Sequence, residues 1–202
     1  AMDGVPYLTQ FPIAQNETYE YKLFSPDAGT FWYHPHCMTM DQMALGLTGI
    51  LIVEEDENPG FDAEVPLNLR DFRLDSNGEW IDLWTARGAA RGGTFGTIMT
   101  TNWRTEPVYE APSGGIVRLR VAATDTTRIY KLFLPDAKAK IIALDGHPLP
   151  ALIDMPKTEE DAVLLGPGQR ADIALMMPRV AGQIATLFTD APGNARVLAR
   201  LV

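Results

Sequence analysis

The sequence predicts an all-β chain, and three observations carry that prediction. Short apolar runs alternate with polar residues at period two, the pattern of half-buried strands. Seventeen glycines and fifteen prolines among 202 residues fall between those runs, where all-β proteins place their turns. Only Met40–Leu47 combines helix-forming residues, and that stretch is short, so it predicts a helical turn or a short helix before Gly46.

The strands follow in order. Tyr19, Tyr21 and Leu23 alternate with Glu20 and Lys22, which predicts a half-buried strand. Ile50-Leu51-Ile52-Val53 is a continuous apolar run, which predicts a strand buried on both faces. In Ile116-Val117-Arg118-Leu119-Arg120-Val121, two arginines stand opposite the apolar side chains, on a face expected to be solvated. Ala171-Asp172-Ile173-Ala174-Leu175 repeats the alternation after the turn Pro167-Gly168-Gln169, and Arg170 is placed to pair with Asp145 or Asp172. Turn signals bound these runs at Ser25-Pro26-Asp27-Ala28-Gly29, Ser76-Asn77-Gly78, Pro112-Ser113-Gly114-Gly115, Asp145-Gly146 and Ala191-Pro192-Gly193-Asn194.

Composition excludes several classes. The formal net charge of −9 argues against a nucleic-acid surface, which is usually basic. No apolar run approaches the ~18–20 residues of a membrane span. Ala1-Met2-Asp3-Gly4 carries neither a basic region nor an apolar core, so no signal peptide is read there. The single cysteine, Cys37, rules out an internal disulfide. Arg87-Gly88-Ala89-Ala90-Arg91-Gly92-Gly93-Thr94 lacks the Lys-Ser/Thr of a phosphate loop and reads as a mobile surface loop.

Asp56-Glu57-Asn58-Pro59-Gly60 reads as a linker. It divides residues 1–58 from residues 61–202, and the second part, roughly 140 residues, is a normal size for one sandwich domain. The first part holds about three strands, too few to close a barrel, and leaves unpaired edges. Those edges predict self-association, by strand exchange between copies.

Chemistry concentrates at Gly29-Thr30-Phe31-Trp32-Tyr33-His34-Pro35-His36, which holds two of the three histidines. Positions i and i+2 of a strand share a face, so Trp32, His34 and His36 project to one side. Strand rise separates the two histidine Cα atoms by about 6.5–7 Å. That span suits one metal per ring in a pair of adjacent metals better than chelation of one ion by both. Pro35 cannot donate to a ladder and marks a strand end or edge. Imidazole alone suits copper, zinc, iron or nickel. The competing reading is two surface histidines, one of them packed on Trp32.

The order and spacing of several motifs resemble the multicopper oxidase family, in particular its bacterial laccase and copper-efflux members. The matching pieces in the first part are Asp3-Gly4-Val5-Pro6 with Thr9-Gln10-Phe11-Pro12-Ile13, Tyr19-Glu20-Tyr21, the His34-Pro35-His36 stretch, Gln42, Gly46-Leu47-Thr48-Gly49 and Ile52-Val53-Glu54-Glu55. In the second part they are Val65-Pro66-Leu67 with Asp71, Thr101-Asn102, Val117-Arg118-Leu119-Arg120, Ile142-Ala143-Leu144-Asp145-Gly146 and Leu165-Gly166-Pro167-Gly168-Gln169-Arg170-Ala171-Asp172. Asn102-Trp103 departs from the Asn-Gly turn usual in the family.

The resemblance implies a cupredoxin-like Greek-key β-sandwich fold, with one complete domain at 61–202 and the C-terminal half of another at 1–58. It implies copper as the cofactor, with His34 and His36 each ligating a different copper of the type 3 pair. The parent would be an oxidoreductase that oxidises a phenol, an amine or Cu(I) and reduces dioxygen to water. Family habit places it in the periplasm or outside the cell. The family's other three histidine motifs have no match here, so the first half of domain 1 and a third cupredoxin domain would be partners of this chain. The family's trinuclear cluster takes eight histidines, and its type 1 site takes two more with a cysteine; three histidines build neither. Cys37 and the exposed turn residue His147 match no ligand position.

The resemblance therefore implies an oxidase fragment that is inactive by itself. Two rivals stand beside it: a cupredoxin-fold scaffold or interaction module without copper, and a metal-binding role for His34, His36, Cys37 and Met38. Met38, Met40 and Met43 read as a short apolar segment rather than as thioether ligands.

Overall fold

The computed structural model describes residues 4–25, 27–190 and 194–202. Among these are thirteen strands and two short helices. The turn residues Pro26 and Ala191-Pro192-Gly193, and Asp3 of the first motif, lie outside the described residues.

The body of the molecule is a two-layer β structure built by residues 63–201. One layer is a six-stranded sheet in the order β4 (Ile98–Thr101), β3 (Ala63–Phe72), β6 (Ile116–Ala123), β11 (Arg170–Met176), β8 (Lys138–Leu144), β9 (His147–Asp154). β3 and β6 run parallel, and the other neighbours run antiparallel. The facing layer joins the pair β10 (Val163–Leu165) and β7 (Tyr130–Leu132) to the triplet β12 (Ala185–Thr189), β13 (Arg196–Leu201) and β5 (Val108–Tyr109). The join is a bridge between Phe133 and Phe188, whose rings stack 5.5 Å apart. The core lies between the layers. Leu67 and Leu69 of β3, Leu119 and Val121 of β6, and Ile173 and Leu175 of β11 pack against Leu132, Leu165, Leu187 and Leu201.

The two predicted alternations at β6 and β11 are strands, as expected. Their odd-numbered residues enter the core, and their even-numbered residues form the outer face of the sheet. Around Arg118 and Arg120 that outer face is not solvated. Arg118 and Arg120 are 5% and 0% exposed, a correction to the expectation, because residues 29–55 lie over them. Those residues form a hairpin of β1 (Gly29–Tyr33) and β2 (Gly49–Val53), antiparallel, with helix α1 (Thr39–Ala44) between them. The helix falls where the sequence placed a short one.

Other expectations need correction. Tyr19–Leu23 forms no strand and pairs with none among the described residues, and its aromatic side chains are half exposed. A period-two pattern makes a strand only where a ladder partner exists. β2 is not buried on both faces: among the described residues it pairs with β1 alone, and Leu51 is exposed. The glycine-rich segment is not wholly loop. It opens with the one-turn helix α2 (Ala86–Ala89), whose N-terminal NH of Gly88 donates to Thr85 Oγ1, and it ends on buried Thr94.

Asn102-Trp103 still makes a tight turn. Both residues take positive φ (50° and 61°), and Thr101 and Arg104 exchange backbone hydrogen bonds around them. This is the two-residue hairpin geometry that Asn-Gly favours, adopted with tryptophan in the second position. Arg170 pairs with Asp145 at 3.2 Å, one of the two acids expected. His147 is exposed, as expected, but it begins β9 rather than lying in the turn. No helix among the described residues is long and apolar enough to cross a membrane.

Candidate metal centre

β1 ends at Tyr33, so His34 and His36 lie just past the strand, where Pro35 lacks the NH to extend the ladder. The two rings nevertheless stay on one side. Trp32 and His34 stack with centroids 4.6 Å apart, and His34 and His36 stack 5.0 Å apart with an interplanar angle of 13°. The sequence reading of a shared face therefore holds for all three residues. Parallel rings point their nitrogen lone pairs along parallel planes, so an ion in the plane of one ring lies out of the plane of the other.

His34 Nδ1 lies 3.1 Å from the Pro35 carbonyl oxygen. A carbonyl can only accept, so this contact puts the proton on Nδ1 and leaves Nε2 free as a ligand atom. His34 is half-buried and His36 is exposed. Among the described residues no group of three or more His, Cys, Asp or Glu side chains is arranged to hold one ion. Two imidazole nitrogens fit copper, as they fit zinc, iron or nickel, and no further His, Cys, Asp or Glu among the described residues is grouped with them. Cys37, Met38 and Met40 are exposed, and only Met43 is buried.

The position of the histidines is set by the way the hairpin sits on the six-stranded sheet. At Gly29 the backbone presses on the turn of Gly146: a Cβ there would stand 2.6 Å from the Gly146 oxygen. Gly168, at φ 79°, leaves room for the Trp32 indole, which a Cβ would approach to 3.1 Å. Between these contacts a buried polar network fixes β1. Thr30 Oγ1 donates to Asp172 Oδ1 at 2.6 Å and accepts from Arg120 Nη1 at 3.1 Å, while Arg170 Nε donates to the Thr30 carbonyl at 3.2 Å.

Charge closes the network. Arg118 meets Asp172 at 2.6 Å and Glu55, just beyond β2, at 2.5 Å. Arg120 meets Glu64 at 2.7 Å and Glu55 at 3.4 Å. Two guanidinium groups face three carboxylates, so each buried charge has a partner, as burial demands. Burial alone would raise the Glu55 carboxyl, but its hydrogen bond to Arg118 and the charges of Arg118 and Arg120 outweigh that and hold it below the usual value. For the same reason Arg118 is held above its usual value against the opposing effect of burial.

A second anchor lies beneath α1. The Arg70 guanidinium donates to Thr48 Oγ1 at 3.0 Å and to the Met43 carbonyl, and Trp84 Nε1 donates to Asp41 at 2.8 Å. The sequence reading assigned none of Thr30, Glu55, Arg70, Arg118, Arg120 or Asp172 a part in holding the site. A signal was present: arginines at 118 and 120 share a face with acids at 64 and 172, on strands that prove to be neighbours. Such a set on one face is a buried network if something covers it and a solvated surface if nothing does.

The family model described as multicopper oxidase matches residues 1–58. The iron transport multicopper oxidase FET3 of Candida albicans is 30% identical over 154 residues, covering 72% of this chain and 23% of that protein. The cell division protein FtsP of Sodalis glossinidius is 31% identical over 185 residues, covering 82% of this chain and 36% of that protein. The crystal structure of a multi-copper oxidase from Pseudomonas thermotolerans superposes with a TM-score of 0.87 at 42% identity, over 99% of this chain and 46% of that one. The chain thus spans less than half the length of each of these relatives. Their agreement supports the cupredoxin-like reading of the fold, and the chain belongs to the multicopper oxidase family.

Proposed function

We propose that His34 and His36 each ligate one copper of a type 3 pair in a multicopper oxidase, and that the 202-residue chain by itself is inactive. The observation that carries this reading is the stacked, parallel pair of imidazoles with no third His, Cys, Asp or Glu grouped beside them among the described residues. Bound copper would supply one-electron redox chemistry, linking a phenol, amine or Cu(I) donor to the reduction of dioxygen to water. This chain's part is to present two imidazole nitrogens, to set the His34 tautomer through the Pro35 carbonyl, and to hold the rings against Trp32 on a hairpin anchored by Asp172.

On this reading residues 1–58 are the C-terminal half of one cupredoxin-like domain, and residues 61–202 are a second. The remaining ligands come from polypeptide outside this chain, in a protein that works in the periplasm or outside the cell. The exposed side chains of Tyr33 and Leu51 at the hairpin also favour self-association of the isolated chain.

Copper titration with absorbance and EPR tests the assignment. The chain alone should take up less than one tightly bound copper, with an ordinary tetragonal Cu(II) signal and no oxygen consumption. Within a protein that supplies the other ligands, a band near 330 nm and an EPR-silent pair should appear, and His34→Ala or His36→Ala should abolish both. Copper uptake indifferent to both substitutions would overturn the assignment. A second reading, a scaffold without copper, is favoured by the match to a protein named for cell division; absence of copper from that longer protein would support it.

A further inference from the structure

Arg118 lies at the middle of the outer face of the six-stranded sheet, and the hairpin covers the face from there toward Asp172. Toward the other end of the same strands the face is open. A cleft of about 490 Å³ runs there, floored by Ile116, Ala139, Leu152, Ala174 and Met176. Ile116, Leu152 and Met176 are each 40% or more exposed. A second cleft of about 520 Å³ shares Ala137, Lys138, Lys157 and Met176 with the first and adds Arg179 and Ile184. Both volumes fall in the range of small-molecule sites.

The charge around this apolar floor opposes that of the whole chain. Three of the five lysines of a protein of net charge −9 line the clefts: Lys138, Lys140 and Lys157. With Arg179 they make four cations, against the two carboxylates Asp136 and Asp154. Lys140 is paired with Asp154 at 2.6 Å. Among the described residues, Lys138, Lys157 and Arg179 make no ion pair. An apolar trough with unpaired cations on its rim complements a molecule with an apolar body and one negative end. A neutral hydrocarbon would leave the cations unused, and a polyanion would leave the floor uncovered.

We propose that this cleft binds a small amphipathic carboxylate, an alkyl or aryl acid whose body lies along Leu152, Ala174 and Met176 and whose carboxylate meets Lys138 and Lys157. The inference does not depend on copper or on the two histidines.

Octanoate is the probe, octan-1-ol is its uncharged control, and the readout is the NMR signal of carbon-labelled methionine methyl groups. The Met176 methyl should shift saturably with octanoate, whereas those of Met38 and Met40, exposed beside the hairpin, should not. Lys138→Glu combined with Lys157→Glu should weaken octanoate about fivefold or more and octan-1-ol less than about twofold. Octanoate affinity of the unaltered chain should also fall between low salt and about 0.5 M salt. That measurement reads the charge contribution even if the double variant does not fold. A Met176 methyl that does not move overturns the proposal, as does equal binding of the acid and the alcohol with no effect of salt. Shifts confined to Met38 and Met40 would mean that the probe prefers the hairpin surface, and would also overturn it.

Discussion

The two faces of the six-stranded sheet use alternate residues of the same strands and are stabilised in opposite ways. The inner face carries Leu67, Leu69, Leu119, Val121, Ile173 and Leu175 and packs on the second layer through apolar contact. The outer face carries Glu64, Arg70, Arg118, Arg120 and Asp172 and packs on the hairpin through ion pairs and hydrogen bonds. Apolar packing is non-directional and tolerates small shifts. A bidentate arginine does not, because its donors lie in a fixed planar fork. The outer face can therefore hold β1, and the histidines beyond it, in one register. A polar face also costs less to expose than an apolar one when the two parts separate.

The largest way to break this comparison is to unbalance the outer face. Asp172→Ala leaves Arg118 and Arg120 buried with half-buried Glu55 and exposed Glu64 as their remaining acids, and it strips Thr30 of its acceptor. Breaking a buried pair from one side costs about 3–5 kcal/mol. Urea unfolding should show a loss of that size, with the hairpin lost first. The fluorine NMR signal of Trp32 in 5-fluorotryptophan-labelled chain, resolved from those of the other three tryptophans, should then change at lower urea than far-ultraviolet circular dichroism. Coincident transitions would mean that the hairpin is not held by this network. The matching cut on the inner face, Leu119→Ala, should cost about 2–5 kcal/mol and shift both signals together, because the cavity opens in the shared core.

A third test separates the faces by pH. Asp71 stands at the end of the inner face of β3, beside Asp125 and Arg128. Burial, and then the Asp125 charge, push its carboxyl up to about 7, although Arg128 pulls the other way. Between the ordinary carboxylate range and that value the folded chain holds a proton that the unfolded chain releases. Stability should therefore fall as pH rises from about 4 to 7. Glu55, on the outer face, has the opposite sign: its pKa is lowered, so the stability it adds is present above the ordinary glutamate value and is lost as pH falls below it. Asp71→Asn should flatten the first slope and leave the second, and Glu55→Gln should do the reverse. Denaturant midpoints measured across pH 3–8 check both.

The inner face was legible in the sequence because alternation marks apolar burial directly, and β6 and β11 fall where the pattern put them. The shared side of Trp32, His34 and His36 was legible for the same reason. The outer face was not, because the pattern that marks Arg118 and Arg120 as opposite the core is the same whether water or another segment covers them. Tyr19–Leu23 failed in the complementary way. Its alternation is as regular as that of β6, but a strand is a relation between two segments, and one segment carries no record of its partner.

The smallest effect isolates what burial contributes. Lys140–Asp154 and Arg118–Asp172 lie on the same face of the same sheet, and each pair is 2.6 Å apart. Their side chains are 50% and 85% exposed in the first pair, and 6% and 2% in the second. At equal distance, water screens the first pair, and each partner left alone is simply rehydrated. Lys140→Ala should therefore change stability by no more than about 1 kcal/mol and less at high salt, where Asp172→Ala remains severe. A large, salt-resistant loss from Lys140→Ala would mean that this edge of the sheet is covered in solution. The open end of the outer face would then be an interface like the end beneath the hairpin.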